Sequence, residues 1–264
     1  MKIARLIRKR HALVYRSLLI AAALVCSDQA LAEVKIIMSG GFASAYRAAL
    51  PEFERTTGIA VTTGSGASQG NEPETIGAQL RRGVPADMVI MSREGLNDLI
   101  AGGRIVAGTD VDLAQTPLGV AVRAGARKPD IGTVDAFRQT LLNAKSIVVP
   151  GSTTGIYLTT TLFPRFGVDS KAVKVTARGT ESASMVAAGD AELVVQPVSE
   201  LLPMSGIDFV GPIPSEVQYI SVFSAAVVTG SKEVEASKRL ISFLASEKAT
   251  GAIKQAGMEP AKSH

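Results

Sequence analysis

Six places in the chain set hydroxyls, glycines or a single polar side chain at the end of a short β-branched run. They are "SGGFAS" with Ser39, Gly40 and Gly41, "GSGASQGN" with Ser65 and Ser68, and the pair Ser92 and Arg93. Then come "PGSTTG" with Ser152, Thr153, Thr154 and Gly155, followed by Arg178 and Gln196. Four of these turns also open a helix, where free backbone N–H groups and the helix dipole favour an anion. One such turn says little, because turns are made of these residues. Four converging on one cleft define a site for a small anion. Tyr157, one turn into a helix, and Tyr219, on an extended segment, stand near the same edges, with half-buried packing as their competing role. Arg93 suits a ligand carboxylate or a place on the surface. Glu72 and Glu74 read as solvated first-turn residues, and the pair Arg81 and Arg82 as a solvated helix end.

Composition removes several other chemistries. Residues 1–32 carry six basic side chains and one acid, the apolar run "SLLIAAALV" and a final "ALA". That is the pattern of a secretory signal peptide cleaved after Ala32, so a periplasmic location is expected. Of the 28 Lys and Arg and 24 Asp and Glu, 22 and 23 remain after cleavage, close to charge balance. No basic stretch remains for nucleic acid or a membrane surface. Cleavage also takes Cys26 and His11, leaving His264 as the only histidine. A disulfide, a thiol nucleophile, a Cys/His zinc site and a Ser–His–Asp triad are then all excluded, and no metal or cofactor is expected. Acid–base chemistry has to rest on carboxylates, Lys, Tyr or Ser. "GSGASQG" fits neither nucleotide-loop spacing, and no Lys follows closely.

The elements that must hold these turns alternate between strand and helix, which predicts an α/β fold with mainly parallel sheets. Strands are expected at 34–38, 59–63, 87–91, 146–149 and at "AVKV" and "AELVVQ". Helices are expected after each, with Pro51 kinking the first, Ser92 capping the third and Thr180 capping "TESASM". Ligands in open α/β sheets sit beyond the carboxyl ends of the strands, which makes the turns above the site. Two apolar extended segments, 116–125 and 217–230, break the rhythm. They read as a double crossover between one lobe of residues 33–122 plus 215–264 and another of 123–214, the protein being a monomer.

The stretches "FERTTGIAV", "GASQG", "QLRRGVPADMVI", "TTGIYL", "AAVVTGSKEVEASKRLISFLASE" and "GMEP" resemble the periplasmic molybdate-binding protein family over nearly the whole chain after residue 32. The resemblance implies the type II periplasmic binding-protein fold and a solute-binding role beside an ABC importer permease. It implies an oxyanion held by Ser39, Ser68, Thr154 and a backbone group at Val195. This chain departs from the family at three points. Phe223 and Gln196 stand where tyrosines are expected, and "GNEPE" lengthens the rim after Ser68 by about five residues. These departures favour an organic di- or tricarboxylate over a tetrahedral oxyanion. The chain is also similar to the aconitate isomerases, cofactor-independent enzymes on the same scaffold that shift a proton across an allylic system. That resemblance makes Glu72, Glu74, Glu200, Tyr157 and Tyr219 candidate bases, none preferred.

Overall fold

A computed structural model describes residues 32–262. The signal-peptide reading, with Cys26 and His11, and the terminal His264 fall outside the described residues. Strand β1 (Glu33–Met38) leads through a short turn into α1 (Ala43–Thr57), which runs on through Pro51 and stops at Gly58 in the left-handed conformation. Strand β2 (Ala60–Ser65), α2 (Ile76–Arg81), β3 (Met88–Ser92) and α3 (Arg93–Ala101) follow. Thr75 caps α2 and Ser92 caps α3 through their side-chain oxygens, which satisfy N–H groups a helix start leaves open.

The long strand β4 (Val111–Arg123) then enters a second series. This comprises α4 (Val134–Asn143), β5 (Ile147–Pro150), α5 (Thr153–Tyr157), a π-helical stretch (Leu158–Leu162), α6 (Phe163–Phe166), β6 (Val173–Thr176) and α7 (Gly179–Ala188). It ends with β7 (Leu193–Pro197), α8 (Val198–Leu201) and β8 (Ile207–Pro212). Strand β9 (Ile220–Val227), α9 (Val234–Leu244), α10 (Glu247–Gln255) and β10 (Glu259–Pro260) complete the chain.

The strands run in the order β2-β1-β3-β9-β4-β7-β5-β6, with β8 and β10 also paired to β4. The outer strands on each side pair in parallel: β2, β1 and β3 on one side, β6, β5 and β7 on the other. Around the middle the pairing is antiparallel, and β4 carries both halves. Its residues 111–117 pair with β9, while 118–123 pair with β7 and β8. Strands β3, β5 and β7 are buried along their whole length, as expected where helices cover both faces.

Hydrophobic clusters pack against both halves of the sheet. Ile37, Ile76, Val89, Leu96 and Ala226 pack one. Leu118, Phe137, Val149, Leu158 and Phe163 belong to a second core. Phe53 of α1 tilts against Phe243 of α9 at 5.5 Å, tying the last helices to the first. Several details differ from the sequence expectation: the sheet is mixed rather than mainly parallel, because β4 and β9 run antiparallel to their neighbours, and β10 is an added strand. Helix α4 and strand β8 are additions, and α7 starts at Gly179 with Arg178 at its cap position, so Thr180 lies inside the first turn. Among the described residues no helix is long and apolar enough to cross a membrane.

Candidate functional site

The carboxyl ends of β1, β2, β3, β5, β6 and β7 meet around a cavity of about 310 Å³. That is more than an order of magnitude above the roughly 10–15 Å³ one water requires. Ser39, Ser65, Ser68 and Ser92 face it from the β1–β3 side, and Thr153, Thr154 and Arg178 from the β5–β6 side. These positions follow from local structure. Each lies where a strand stops and a turn or helix begins, so the side chain leaves the sheet plane at its open edge.

Hydroxyl contacts knit the two sides together. The Ser68 hydroxyl accepts the Ser92 N–H at 2.9 Å, and the Ser92 hydroxyl is 2.7 Å from that of Thr153. Thr153 also donates to the Gln69 amide oxygen at 3.0 Å, and Gln69 donates its backbone N–H to Ser152 Oγ at 3.4 Å. Arg178 donates to Ser65 Oγ at 3.2 Å. Three further hydroxyls around the cavity, on Ser39, Ser199 and Ser221, are buried and have no hydrogen-bond partner. A buried unpaired hydroxyl is costly, and three bordering one cavity are what a polar ligand would satisfy.

The charged side chains lining the cavity are Arg47, Arg178 and Glu200. Glu200 lies on α8, directly after β7. Its carboxyl sits between two glycine backbones, with Oε1 over Gly40 and Oε2 over Gly179. A Cβ on Gly179 would meet Oε2 at 1.7 Å, so only glycine leaves room for the carboxyl there. Loss of hydration raises the Glu200 pKa from 4.5 to about 7. A carboxyl poised near neutrality beside a cavity with two guanidiniums can take and return a proton at physiological pH. Gly41 has a similar constraint, because a Cβ there would come 1.9 Å from Cζ of Phe223. The Phe223 ring thus occupies the space over the first turn.

Ser39, Gly40, Ser65, Ser68, Thr153 and Thr154 therefore stand together on the cavity. The remaining expected residues do not line it. Arg93 turns away to β4 and the residue before it, donating from Nε to Asp112 at 2.7 Å and from Nη1 to Asp110 at 2.7 Å. Two nearby acids outcompete a ligand for it. Tyr157 stacks on Tyr219 at 4.8 Å and donates to the Val217 carbonyl. Tyr219 donates to Glu94, and burial together with that bond raises its pKa. Val195 is wholly buried in the second core, where its register partner is Val120. Gly155 packs so closely on β5 that a Cβ would lie 1.6 Å from the Pro150 carbonyl. Gln196 is buried just behind Glu200 and Gly179.

The longer rim also lies elsewhere. Gly70, Asn71 and Glu72 border a separate groove of about 510 Å³ rather than the cavity. Arg47, Ser199 and Ser221 join the site without having been singled out from sequence. Arg47 is an exposed helix cation, a type that reads as solvated. The stronger signal was "VVQPVSE", an acid on the first turn after a buried strand.

A sheet in two halves, bridged by one strand and open along its carboxyl edges, is the architecture of the type II periplasmic binding proteins. The chain belongs to the bacterial extracellular solute-binding protein family, whose sequence profile matches residues 34–259. It is 37% identical over 248 residues to an aconitate isomerase from Pseudomonas sp, covering 92% of this chain and 94% of that one. Its fold is similar to that of the Azotobacter vinelandii periplasmic molybdate-binding protein, with a TM-score of 0.70 and 18% identity over 88% of this chain and 100% of that one. It is likewise similar to the sulfate-binding protein of Mycobacterium tuberculosis H37Rv, with a TM-score of 0.69 and 20% identity over 88% of each chain.

Proposed function

We propose that this protein is an isomerase that interconverts cis- and trans-aconitate by an allylic proton shift, with Glu200 as the base. The observation that carries this reading is the Glu200 carboxyl, placed on the cavity between Gly40 and Gly179 and facing a space shared with Arg47 and Arg178. Likeness to an aconitate isomerase along nearly the whole chain supports it. In the reaction Glu200 removes a proton from the substrate methylene, breaking that C–H bond. The electron pair spreads over the allylic system and the attached carboxylates, where Arg47, Arg178 and the free hydroxyls of Ser39, Ser199 and Ser221 stabilise it. Glu200 then delivers the proton to the former vinylic carbon, and the double bond moves by one position. No atom is gained or lost overall. We place the reaction in the periplasm, after removal of residues 1–32. The lobes closing on the substrate are 33–122 with 215–264, and 123–214, swinging on β4 and the segment before β9.

The test is incubation of the protein lacking residues 1–32 with trans-aconitate, followed by 1H NMR for the cis isomer. Glu200→Gln should bind aconitate but convert it at least about a hundredfold more slowly, the usual scale of a lost acid–base group. Membership of a solute-binding family favours a second reading. In it the same cavity carries a di- or tricarboxylate unchanged to an ABC importer. Tight binding without conversion would select that reading.

A further inference from the structure

Gln196 is fully buried at the end of β7, and neither its amide nitrogen nor its amide oxygen has a hydrogen-bond partner. It precedes Glu200 by four residues across the β7–α8 junction. Both side chains reach the same point above Gly179. The position of a Cβ on that glycine is 1.7 Å from Glu200 Oε2 and 3.3 Å from Gln196 Oε1. Glu200, half-buried at the cavity wall, likewise makes no hydrogen bond in the structure, so two polar groups without partners adjoin where the cavity meets the core.

We propose that Gln196 positions Glu200, its amide donating to the carboxylate before proton abstraction and accepting from the carboxylic acid afterwards. This rests on the reading of Glu200 as the base. An ionised carboxyl only accepts hydrogen bonds, whereas a protonated one also donates. A base that changes state within each turnover therefore needs a neighbour able to do both. A primary amide offers two donors and an acceptor on one rigid plane, and a half-turn of that plane exchanges them. A leucine at this position could neither donate to the carboxylate nor accept from the acid.

The other charged groups near Glu200 leave this role to Gln196. Arg47 and Arg178 line the cavity, and neither makes a hydrogen bond to the carboxyl. On the elements packed against α8, Asp112 of β4 is held by Arg93, Arg123 of β4 is exposed beside Gly189, Asp208 of β8 accepts from the Gly125 N–H, and Glu181 of α7 accepts from the Ala177 N–H.

The first measurement needs no substrate. In protein labelled with 15N in glutamine side chains and 13C in glutamate carboxyls, the Gln196 amide and the Glu200 carboxyl are followed by NMR from pH 4.5 to 9. The expected result is one shared midpoint, with the Gln196 titration vanishing in Glu200→Gln. A Gln196 amide that stays flat through the Glu200 transition overturns the proposal. Gln196→Met keeps the volume and removes the polarity. It should raise the Glu200 midpoint by roughly one pH unit, because the charge-assisted bond to the ionised form is lost. In the aconitate assay that variant should lower kcat about tenfold to a hundredfold with KM nearly unchanged, and move the acidic limb of the rate profile upward. Gln196→Glu, with like charges side by side, should raise the midpoint further still. An unmoved midpoint in Gln196→Met overturns the pairing. A shared midpoint without turnover of aconitate would retain the pairing and discard the isomerase reading.

Discussion

Glu200 ionises against the cost of its own burial, and that cost has a thermodynamic signature. Its folded pKa of about 7 exceeds the ordinary 4.5, so the folded protein holds a proton over a range where the unfolded chain has released it. The stabilisation is complete below pH 4.5 and is lost as pH rises through 7. The full difference is at most about 3–4 kcal/mol, at roughly 1.4 kcal/mol per unit. Denaturant midpoints measured across that window should fall for the wild type and fall less for Glu200→Gln. Gly179→Ala pushes a methyl group into the carboxyl and should abolish turnover while the protein stays folded, as circular dichroism would report. Ser68→Ala leaves the buried Ser92 N–H unpaired and should weaken anion binding by about 1–3 kcal/mol. Unchanged affinity by calorimetry would take Ser68 out of the site. Ser39 and Ser68 were readable as strand-end polar residues, and Glu200 as a candidate base. Which of them would be unpaired was not, since a hydroxyl finds or lacks a partner only through contacts distant in sequence.

At the scale of elements, α3 and α5 meet across the cavity mouth through Ser92 and Thr153, with Gln69 completing the link. Thr153→Val keeps the shape but removes both bonds. It should speed ligand dissociation several-fold, about 0.5–1.5 kcal/mol per neutral bond, as stopped-flow release would show. Arg93 offers the contrasting case. It fastens α3 to β4 and its approach through Asp112 and Asp110, so Arg93→Ala should lower the melting temperature and leave ligand affinity unchanged. From sequence it looked available to a ligand, because nothing in the local pattern shows two acids folding back from residues 110 and 112. The two tyrosines take the packing role that competed with a ligand role, their stacking joining α5 to the residue before β9. Helix α4 escaped notice because only Phe137 and Leu141 are buried on it. Strand β8 did so because all but one of its residues are half-buried, with no alternation to mark it.

For the whole molecule, a ligand that touches both halves of the sheet stabilises the arrangement in which they meet. Aconitate at a hundredfold excess over its Kd should add about 2.7 kcal/mol of stability. For a chain of this size that is roughly 5–10 °C in Tm, measurable by scanning calorimetry. Molybdate should do so less if the cavity is shaped for an organic acid. A carrier and an enzyme share this stabilisation, and only the product separates them.

The sequence by itself determined the α/β alternation, the strand-end location of the site and the polar, hydroxyl-rich character of its edges. Those properties follow from periodicity, turn chemistry and the rule that strand carboxyl ends face the ligand, all of which act over a few residues. Only the tertiary structure decided which edges face one another, that the added rim borders a different groove, and that Glu200 alone among the candidate acids lines the cavity. Each depends on packing between segments far apart in the chain. The raised pKa of Glu200 is a consequence of that packing, because the carboxyl gives up part of its hydration where Gly40 and Gly179 close around it.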